Sequence, residues 1–596
     1  MAARYNTVKE FKGYVTKPDA TNMDERLLVK GSQNVLINDG EKVTGRGGYQ
    51  LFGNASTTRK PINSEFVWKT SSGTELLLRG LDDKLQVYHE GSFIDVVEGF
   101  STSEFGFPRS SESGWWDNSE GIDILPFVVK DSNLYTWSGL IAEIDSTTSN
   151  TITKTGTETW AEARALTTGN KTVLINGTEY TYTGGETTTT LTGVTPDPTG
   201  EADGSIVTQK VVTIADTPGS GLTNDIVDIL NNQVYVGDFT YREVFISEND
   251  DITDFTGIST PRVPGEPAVF TLDNAPTAFV VQEDSMYISA GKNDWYRTTF
   301  DLQTSGTTFI ENVTVKKLKN APYQGAKEKD LVANIKNSVV FISWERTLEE
   351  LGRVERIETP QSKPLSDPIK PDFNEYDFAG GDIRYWKNQV FITIPLSGIL
   401  LIYDIANGWW QPPQNIPVSK LSVYDNKLIG HSRDVSESYE LFPEGIYSDL
   451  GNPVNMQAVF SYRSFGEREV FKAFDEYYTE GLISGSTKLT LTLDYEYEGS
   501  EGKKSFEIRG DDPKITFGLN VGGGLGSLPL GKATLGSASE APSEKKKFRI
   551  VHGMRELPFY ELRTTYSTTD TNAQFEIIAH GPQVRMSQNQ NNAITK

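Results

Sequence analysis

Four histidines, His89, His431, His552 and His580, are the side chains of this chain best suited to metal binding or to proton transfer near neutral pH. No two stand at the spacing of a zinc ligand pair and no HExxH occurs, so each reads as a surface or edge residue. There is no cysteine, which excludes disulfides, thiolate nucleophiles and cysteine metal sites. Neither a GxSxG elbow nor a Walker A motif is present. SENDDITDF (247–255) concentrates carboxylates but lacks the ligand spacing and central glycine of a calcium loop, and reads as a solvated turn. VGGGLG (521–526) has the glycines of a phosphate loop without the following Lys-Ser/Thr or a helix, and reads as a mobile or interface loop. Paired carboxylates hydrolyse glycosides, but 81 acidic residues make chance pairs common, and no S-x-D-x-G-x-x-W box occurs. The expectation is a non-enzyme with no catalytic residue, metal ligand or cofactor. Trp115-Trp116 and Trp409-Trp410 are adjacent pairs. On a strand one ring of each faces the core and the other faces out, where packing against a neighbouring element is favoured over a partner anchor.

The elements that would carry these residues are almost all strands. Short β-branched and aromatic runs alternate with Gly, Asn, Asp and Ser, the pattern of an all-β protein. Helix is expected only at TWAEARALTTG (159–169) and NDIVDIL (224–230). DILNNQVYVGDFTYREVFISE (228–248) and YWKNQVFITIPLSGILLIYD (385–404) share one plan: strand, Asn-containing turn, strand, loop, strand. Five further stretches follow it, at 64–97, 121–145, 275–301, 329–355 and 419–442. A lone meander leaves an apolar face and two edges exposed, and radial repetition buries each face on the next copy. The fold class expected is an irregular β-propeller of about seven blades, with a large β-sandwich as the competing arrangement.

Five regions are distinguished. Residues 1–60 are an N-terminal segment that docks or closes the propeller. Residues 61–145 and 221–445 are its two parts, and 146–220 is an inserted Thr/Gly-rich β-domain containing the hairpin VLINGTEYTYTG. Residues 446–596 are a C-terminal β-sandwich-like domain. It holds the alternating strand KLTLTLDYEYEG, a Gly-rich loop (518–539), the basic run EKKKFRI (544–550), a strand pair around TTDTNA and a flexible tail.

The net charge is −25, yet residues 1–60 hold ten Lys/Arg against six Asp/Glu. An acidic bulk disfavours tight nucleic-acid wrapping but suits a conduit along which DNA must slide without sticking. No apolar run is long enough for a membrane-spanning helix, and the N-terminus lacks a signal-peptide core.

GSQNVLINDGEKVTGRGGYQLFG (31–53), with its N-V-x-I-x-x-G and V-x-x-R-x-G-Y patterns, resembles the N-terminal segment of phage tail proteins with propeller domains. VFISENDDITDFTG (244–257) resembles a recurring blade end of that family. INGTEYTYTGGETTTTLTGVTP (175–196) resembles the small β-modules that decorate tail proteins, and FYELRTTYSTTDTNAQFEIIAHGPQV (559–584) resembles their closing β-domain. The resemblance implies a tail hub or nozzle protein of short-tailed bacteriophages: a homo-oligomeric ring, usually a hexamer, in the virion tail. Such a ring is assembled in the host cytoplasm, contacts portal/adaptor proteins and anchors tail fibres or spikes. It continues the channel for genomic DNA, retains the genome and then releases it. The competing function is a receptor-binding fibre or spike protein recognising host surface glycan.

Overall fold

The computed structural model describes the chain outside residues 1–3, 6, 18–23, 55–58, 103, 110–113, 131, 215–225, 250, 257–262, 283–284, 306–307, 319–323, 336–337, 352–363, 464–471, 486, 498–499, 513–544 and 587–596. Within those residues it is nearly all β. The Gly-rich loop and the C-terminal tail singled out above lie outside the described residues.

Successive antiparallel meanders follow one another along the chain. The first runs from the strand Ile62–Lys69 through Glu75–Leu81 and Lys84–His89 to Ser92–Val97. The second contains Phe105–Gly106, Ile122–Val129, Leu134–Trp137 and, after a long excursion, Val212–Ile214. The third to sixth begin with Ile226–Leu230, Pro276–Gln282, Val332–Ile335 and Ile383–Trp386. The seventh runs from Val418–Tyr424 through Lys427–Ser432 to Ser438–Leu441, and its outer strand is Tyr49–Phe52, from near the N-terminus.

Consecutive sheets touch in sequence through their leading strands, the second meeting the third through Ile122–Val129, and Val418–Tyr424 returns to Ile62–Lys69. The stack is therefore a closed cycle about one axis, the architecture of a β-propeller. Each interface is apolar. Phe66, Trp68, Leu125 and Trp137 fill the space between the first two sheets, and Val128, Val234, Val236 and Phe255 fill the next.

The repeated Asn turns occupy one structural position. Asn231 and Asn232 join the first and second strands of the third sheet with φ of 52° and 57°; Lys387 and Asn388 do so in the sixth, and Asp425 and Asn426 in the seventh. Two consecutive left-handed residues make the hairpin turn whose twist matches the strands, and Asn and Asp tolerate that conformation best. The runs VYV and VFI are second strands, one step out from the axis.

Between the third and fourth strands of the second sheet the chain builds a separate six-stranded sheet. It starts at Ile141, ends at Gln209 and has its own core of Trp160, Val173, Ile175, Leu191 and Val207. Its hairpin Thr172–Ile175/Thr178–Thr181 turns on Asn176-Gly177, both at positive φ. Arg164 fastens it to the meanders by donating to Asp123 Oδ1 at 3.0 Å, while the Trp68 indole donates to Asp123 Oδ2 at 3.1 Å.

Both helical expectations are corrected. Residues 159–169 make turns, because Trp160 and Ala165 must both face the core of a sheet. Residues Ile226–Leu230 are a leading strand buried on both faces, where a continuous apolar run cannot be told from a short helix by periodicity. Among the described residues a short helix forms at Lys370–Glu375.

Two further sheets lie at the C-terminal side. One contains Lys545–Phe559, Lys472–Ser484 and Phe575–Met586 and is extended by Lys42–Gly45 and Val35–Asn38; the other contains Met456–Val459, Glu561–Thr568, Lys488–Tyr497 and Ser500–Arg509. The strands flanking TTDTNA do not pair with each other, as the sequence suggested, but enter opposite sheets. The Tyr477 hydroxyl, 2.7 Å from Thr564 Oγ1, links those sheets through a shared core. The basic run is neutralised in part, with Lys545 on Glu576 at 2.7 Å and Lys547 on Glu480 at 2.9 Å.

Candidate functional site: a charged septum across the axis

The leading strands carry apolar side chains into the inter-sheet cores, but several place a charge or hydroxyl toward the axis. Glu65 comes from the first sheet, Asp382 and Arg384 from the start of the sixth, and Lys420 and Ser422 from the seventh. Asp330 sits in the single turn Lys329–Leu331 that precedes the fifth. Arg109 reaches in from the second sheet and ties the others together. Its Nη2 donates to Glu65 Oε1 at 2.6 Å and to Asp382 Oδ1 at 2.7 Å, and its Nη1 donates to Asp330. Lys420 donates to Asp330 Oδ2 at 2.5 Å and to the Gly381 carbonyl at 3.1 Å. Arg384 and Ser422 both donate to Glu65. The backbone amides of Ile383 and Leu421 donate to Asp382 at 2.8 and 2.7 Å.

Three carboxylates and three cations thus cancel in a place sheltered from water. Burial works against the charge on Glu65, but Arg384 and Arg109 outweigh it and hold the carboxyl below its usual range. For Asp330 burial is again opposed, by Lys420 and Arg109, and the carboxyl lies far below its ordinary value. Burial disfavours the Arg109 cation, but Asp382, Asp330 and Glu65 more than offset it and bind its proton more tightly. Asp382 is the exception: burial pushes its carboxyl up against the pull of Arg109 and Arg384.

A polar chain extends the septum outward. A carboxylate can only accept, so the Ser422 hydroxyl donates to Glu65 and accepts from His431 Nε2 at 2.9 Å. His431 Nδ1 then accepts from Ser438 Oγ at 2.9 Å, and Ser438 accepts from Arg79 Nη1 at 3.0 Å. Burial, with help from Arg79 and Arg384, pushes the His431 imidazole down to about 3 against the pull of Glu65, so it is neutral.

The septum separates two cavities. One, of about 440 Å³, opens at the N-terminal ends of the leading strands and is lined by Ile62, Pro276, Asp330 and Lys420. The other, of about 230 Å³, lies toward their C-terminal ends between Val67, Val280, Tyr385 and Val423. Chemically the septum is a lock: its acids are held by cations and amides, which suits them to join sheets rather than to attack a substrate.

The histidine expectation is corrected by the same geometry. His431 is in the septum. His580 is buried beside Phe460, its Nδ1 2.6 Å from the Tyr477 hydroxyl, and burial pushes it down to about 3. His552 packs on Phe506, and burial pushes it down to about 4. His89 alone is part-exposed, at a strand end. These imidazoles substitute for apolar side chains in well-packed places, which nothing in their spacing announces.

The acidic run 247–255 closes on itself: Asp251 accepts from the Thr253 amide at 2.8 Å and Asp254 from the Thr256 amide at 2.7 Å, while Ile252 and Phe255 enter the core. Among the described residues no group of three His, Asp or Glu is placed to hold a metal ion. The tryptophan pairs divide as strand geometry requires: Trp115 and Trp410 are buried, Trp116 is exposed and Trp409 is half-buried. Sequence reading missed the septum itself. Its signal was a charge or hydroxyl inside several apolar leading strands, as in SEFVW (64–68), GDIRYW (381–386) and SKLSVY (419–424).

No protein-family model and no curated protein matches the chain. Among solved structures it is similar to BBS1N in complex with ARL6DN, soaked with lead, at TM-score 0.36 and 9% identity, covering 70% of this chain and 99% of that one. It is similar to Saccharomyces cerevisiae Sqt1 at TM-score 0.32 and 8% identity, covering 66% and 100%. It is also similar to the PQQ-bound form of an aldose sugar dehydrogenase from Streptomyces coelicolor, at TM-score 0.24 and 11% identity, covering 66% and 98%.

Proposed function

We propose that the chain is a structural protein of a phage tail, forming a hub or nozzle ring of six copies. In this reading the meanders are the seven blades of one propeller, 141–209 is an inserted domain, and the region from 446 onward is a sandwich domain. The ring continues the DNA channel below portal and adaptor proteins, anchors fibres or spikes, and retains and then releases the genome. No catalysis is involved.

One observation carries the reading. The axis of the meander stack is crossed by the Arg109 septum, so the axis of a single chain is no conduit. A channel for DNA must then lie between several copies, whose acidic surfaces would repel phosphates and prevent sticking. Among the described residues no helix is long and apolar enough to cross a membrane.

Electron microscopy and sedimentation of the full-length protein test the proposal. The expected result is a closed ring with a central opening wide enough for duplex DNA. A species that stays monomeric at micromolar concentration, together with no such ring on the tail axis of the virion, overturns it.

A further inference from the structure

Among the described residues, two of the large apolar side chains left in water stand at one opening of the axis. Phe239 is 58% exposed and Trp344 is 39% exposed; each sits in the turn between the second and third strands of its sheet, the third and the fifth. Both line the 440 Å³ cavity. The Lys292 ammonium lies 5.4 Å from the centre of the Trp344 ring, over its face, which favours an outward-standing ring. Leaving such rings part-exposed forgoes a share of the about 1.5–3 kcal/mol that full burial of a large apolar side chain contributes. Two of them at the rim of one concavity mark a place where something else covers them.

Below the rim the walls are polar. Asn63, Thr277 and Ser419 contribute amide and hydroxyl groups, Glu104 and Glu328 contribute carboxyls, and Lys130, Lys327 and Lys329 contribute ammonium groups. Glu328 accepts the Gly380 amide at 3.0 Å, and burial raises its carboxyl above the ordinary range. The floor is the Asp330–Lys420 pair of the septum, so a ligand enters and leaves by the same mouth.

We propose that this mouth binds the terminal rings of an uncharged saccharide. A pyranose presents an apolar C–H face that stacks on Phe or Trp and a hydroxyl rim that hydrogen-bonds carboxyl, amide and hydroxyl groups. Its size suits a cavity within the usual range for small-molecule sites. Lys130, Lys327, Lys329 and Lys420 share this space with Glu104, Glu328 and Asp330, and Lys130 pairs with Glu104, Lys420 with Asp330 and Lys327 with Asp377, so the lining presents little uncompensated charge to hold a phosphate or sulfate chain. The site is independent of the ring proposed above, and a monomer would carry it equally.

The test is calorimetric titration of the full-length protein with maltotetraose, cellotetraose and chitotetraose, and separately with heparin. Saturable binding of at least one neutral tetrasaccharide is expected, insensitive to salt and weakened about tenfold by Trp344→Ala and by Phe239→Ala. Trp116→Ala, which removes an exposed ring outside the cavity, should leave the affinity unchanged. Melting curves of all three variants are recorded alongside, and each should still show one cooperative transition, because none of the removed rings is fully buried. The proposal is overturned by no saturable heat with any tetrasaccharide at about 10 mM, by binding that survives both rim substitutions, or by salt-sensitive binding of heparin alone.

Discussion

Arg109 Nη2 lies 2.7 Å from Asp382 Oδ1, across 273 residues of sequence, and the same nitrogen meets Glu65 at 2.6 Å. One guanidinium thereby fastens the second sheet to the first and the sixth on the far side of the axis. The side chains of Glu65 and Asp382 are fully buried. The desolvation of Glu65 is offset only while the cations are in place, and that of Asp382 is opposed by them.

Arg109→Met should therefore destabilise the protein by about 3–5 kcal/mol, the usual result of removing one partner from a buried ion pair. Denaturant unfolding measures it. The deficit should grow as pH rises above the carboxylate range, because the abandoned acids then have to ionise or stay protonated at a cost. Adding Glu65→Gln to Arg109→Met should recover part of the loss. If the double variant is no more stable than Arg109→Met, the side chain acts by packing and the electrostatic account fails.

His431 gives the septum a dependence on acid. Its imidazole is held near 3 in the folded chain against 6.5 ordinarily, so the unfolded chain takes up a proton first as pH falls. The sign follows: this stability is complete above about 6.5 and is lost as pH falls toward 3. Glu65, depressed by its cations, also contributes stability that acid removes. His431→Gln, which keeps a hydrogen-bonding side chain without the titration, should flatten the slope of unfolding free energy across this interval. The expected change is about 1.4 kcal/mol per pH unit, one proton's worth. His552 and His580 still titrate in the variant, so a residual slope should remain. A slope identical to the parent's would mean that His431 is not the group taking up the proton.

What the sequence made legible follows from local chemistry. The turns at Asn231-Asn232 and Lys387-Asn388 need two left-handed residues in a row, and that demand is written into residue type. The hairpin turn at Asn176-Gly177 was readable for the same reason. The strand Ile226–Leu230 was not, because burial on both faces erases the alternation that distinguishes strand from helix. The septum was hidden differently. Glu65, Arg109 and Asp330 are far apart in sequence, and their pairing exists only once the stack closes. His431 and His580 were misread because spacing tests for a metal site, not for a neutral imidazole buried among hydroxyls and rings.

The N-terminal hairpin Val35–Asn38/Lys42–Gly45 is held to the body by one buried arginine. Arg46 is fully buried, and it donates to Asn34 Oδ1 at 3.0 Å, the Gly47 carbonyl at 2.9 Å, the Asn415 carbonyl at 3.2 Å and Asp449 at 2.8 and 2.5 Å. Asn34 in turn donates to the Asn455 carbonyl at 2.7 Å and accepts the Asn415 amide at 2.7 Å. These two side chains bind the N-terminal hairpin to the sixth sheet and to the chain entering the C-terminal sheets. Lysine at 46 keeps the charge but loses the planar fork, leaving several buried acceptors without a donor. Arg46→Lys should cost about 2–4 kcal/mol. Two residues on, a Cβ on Gly48 would stand 2.1 Å from the Ser448 carbonyl oxygen, a backbone atom that cannot rotate away. Gly48→Ala should be similarly damaging, whereas Gly485→Ala, with nothing within 4 Å of the added carbon, should stay within about 0.5 kcal/mol of the parent. Thermal melts of the three variants separate the outcomes. Parent-like stability in both Arg46→Lys and Gly48→Ala would show that this segment rests on the surface and does not hold the body together.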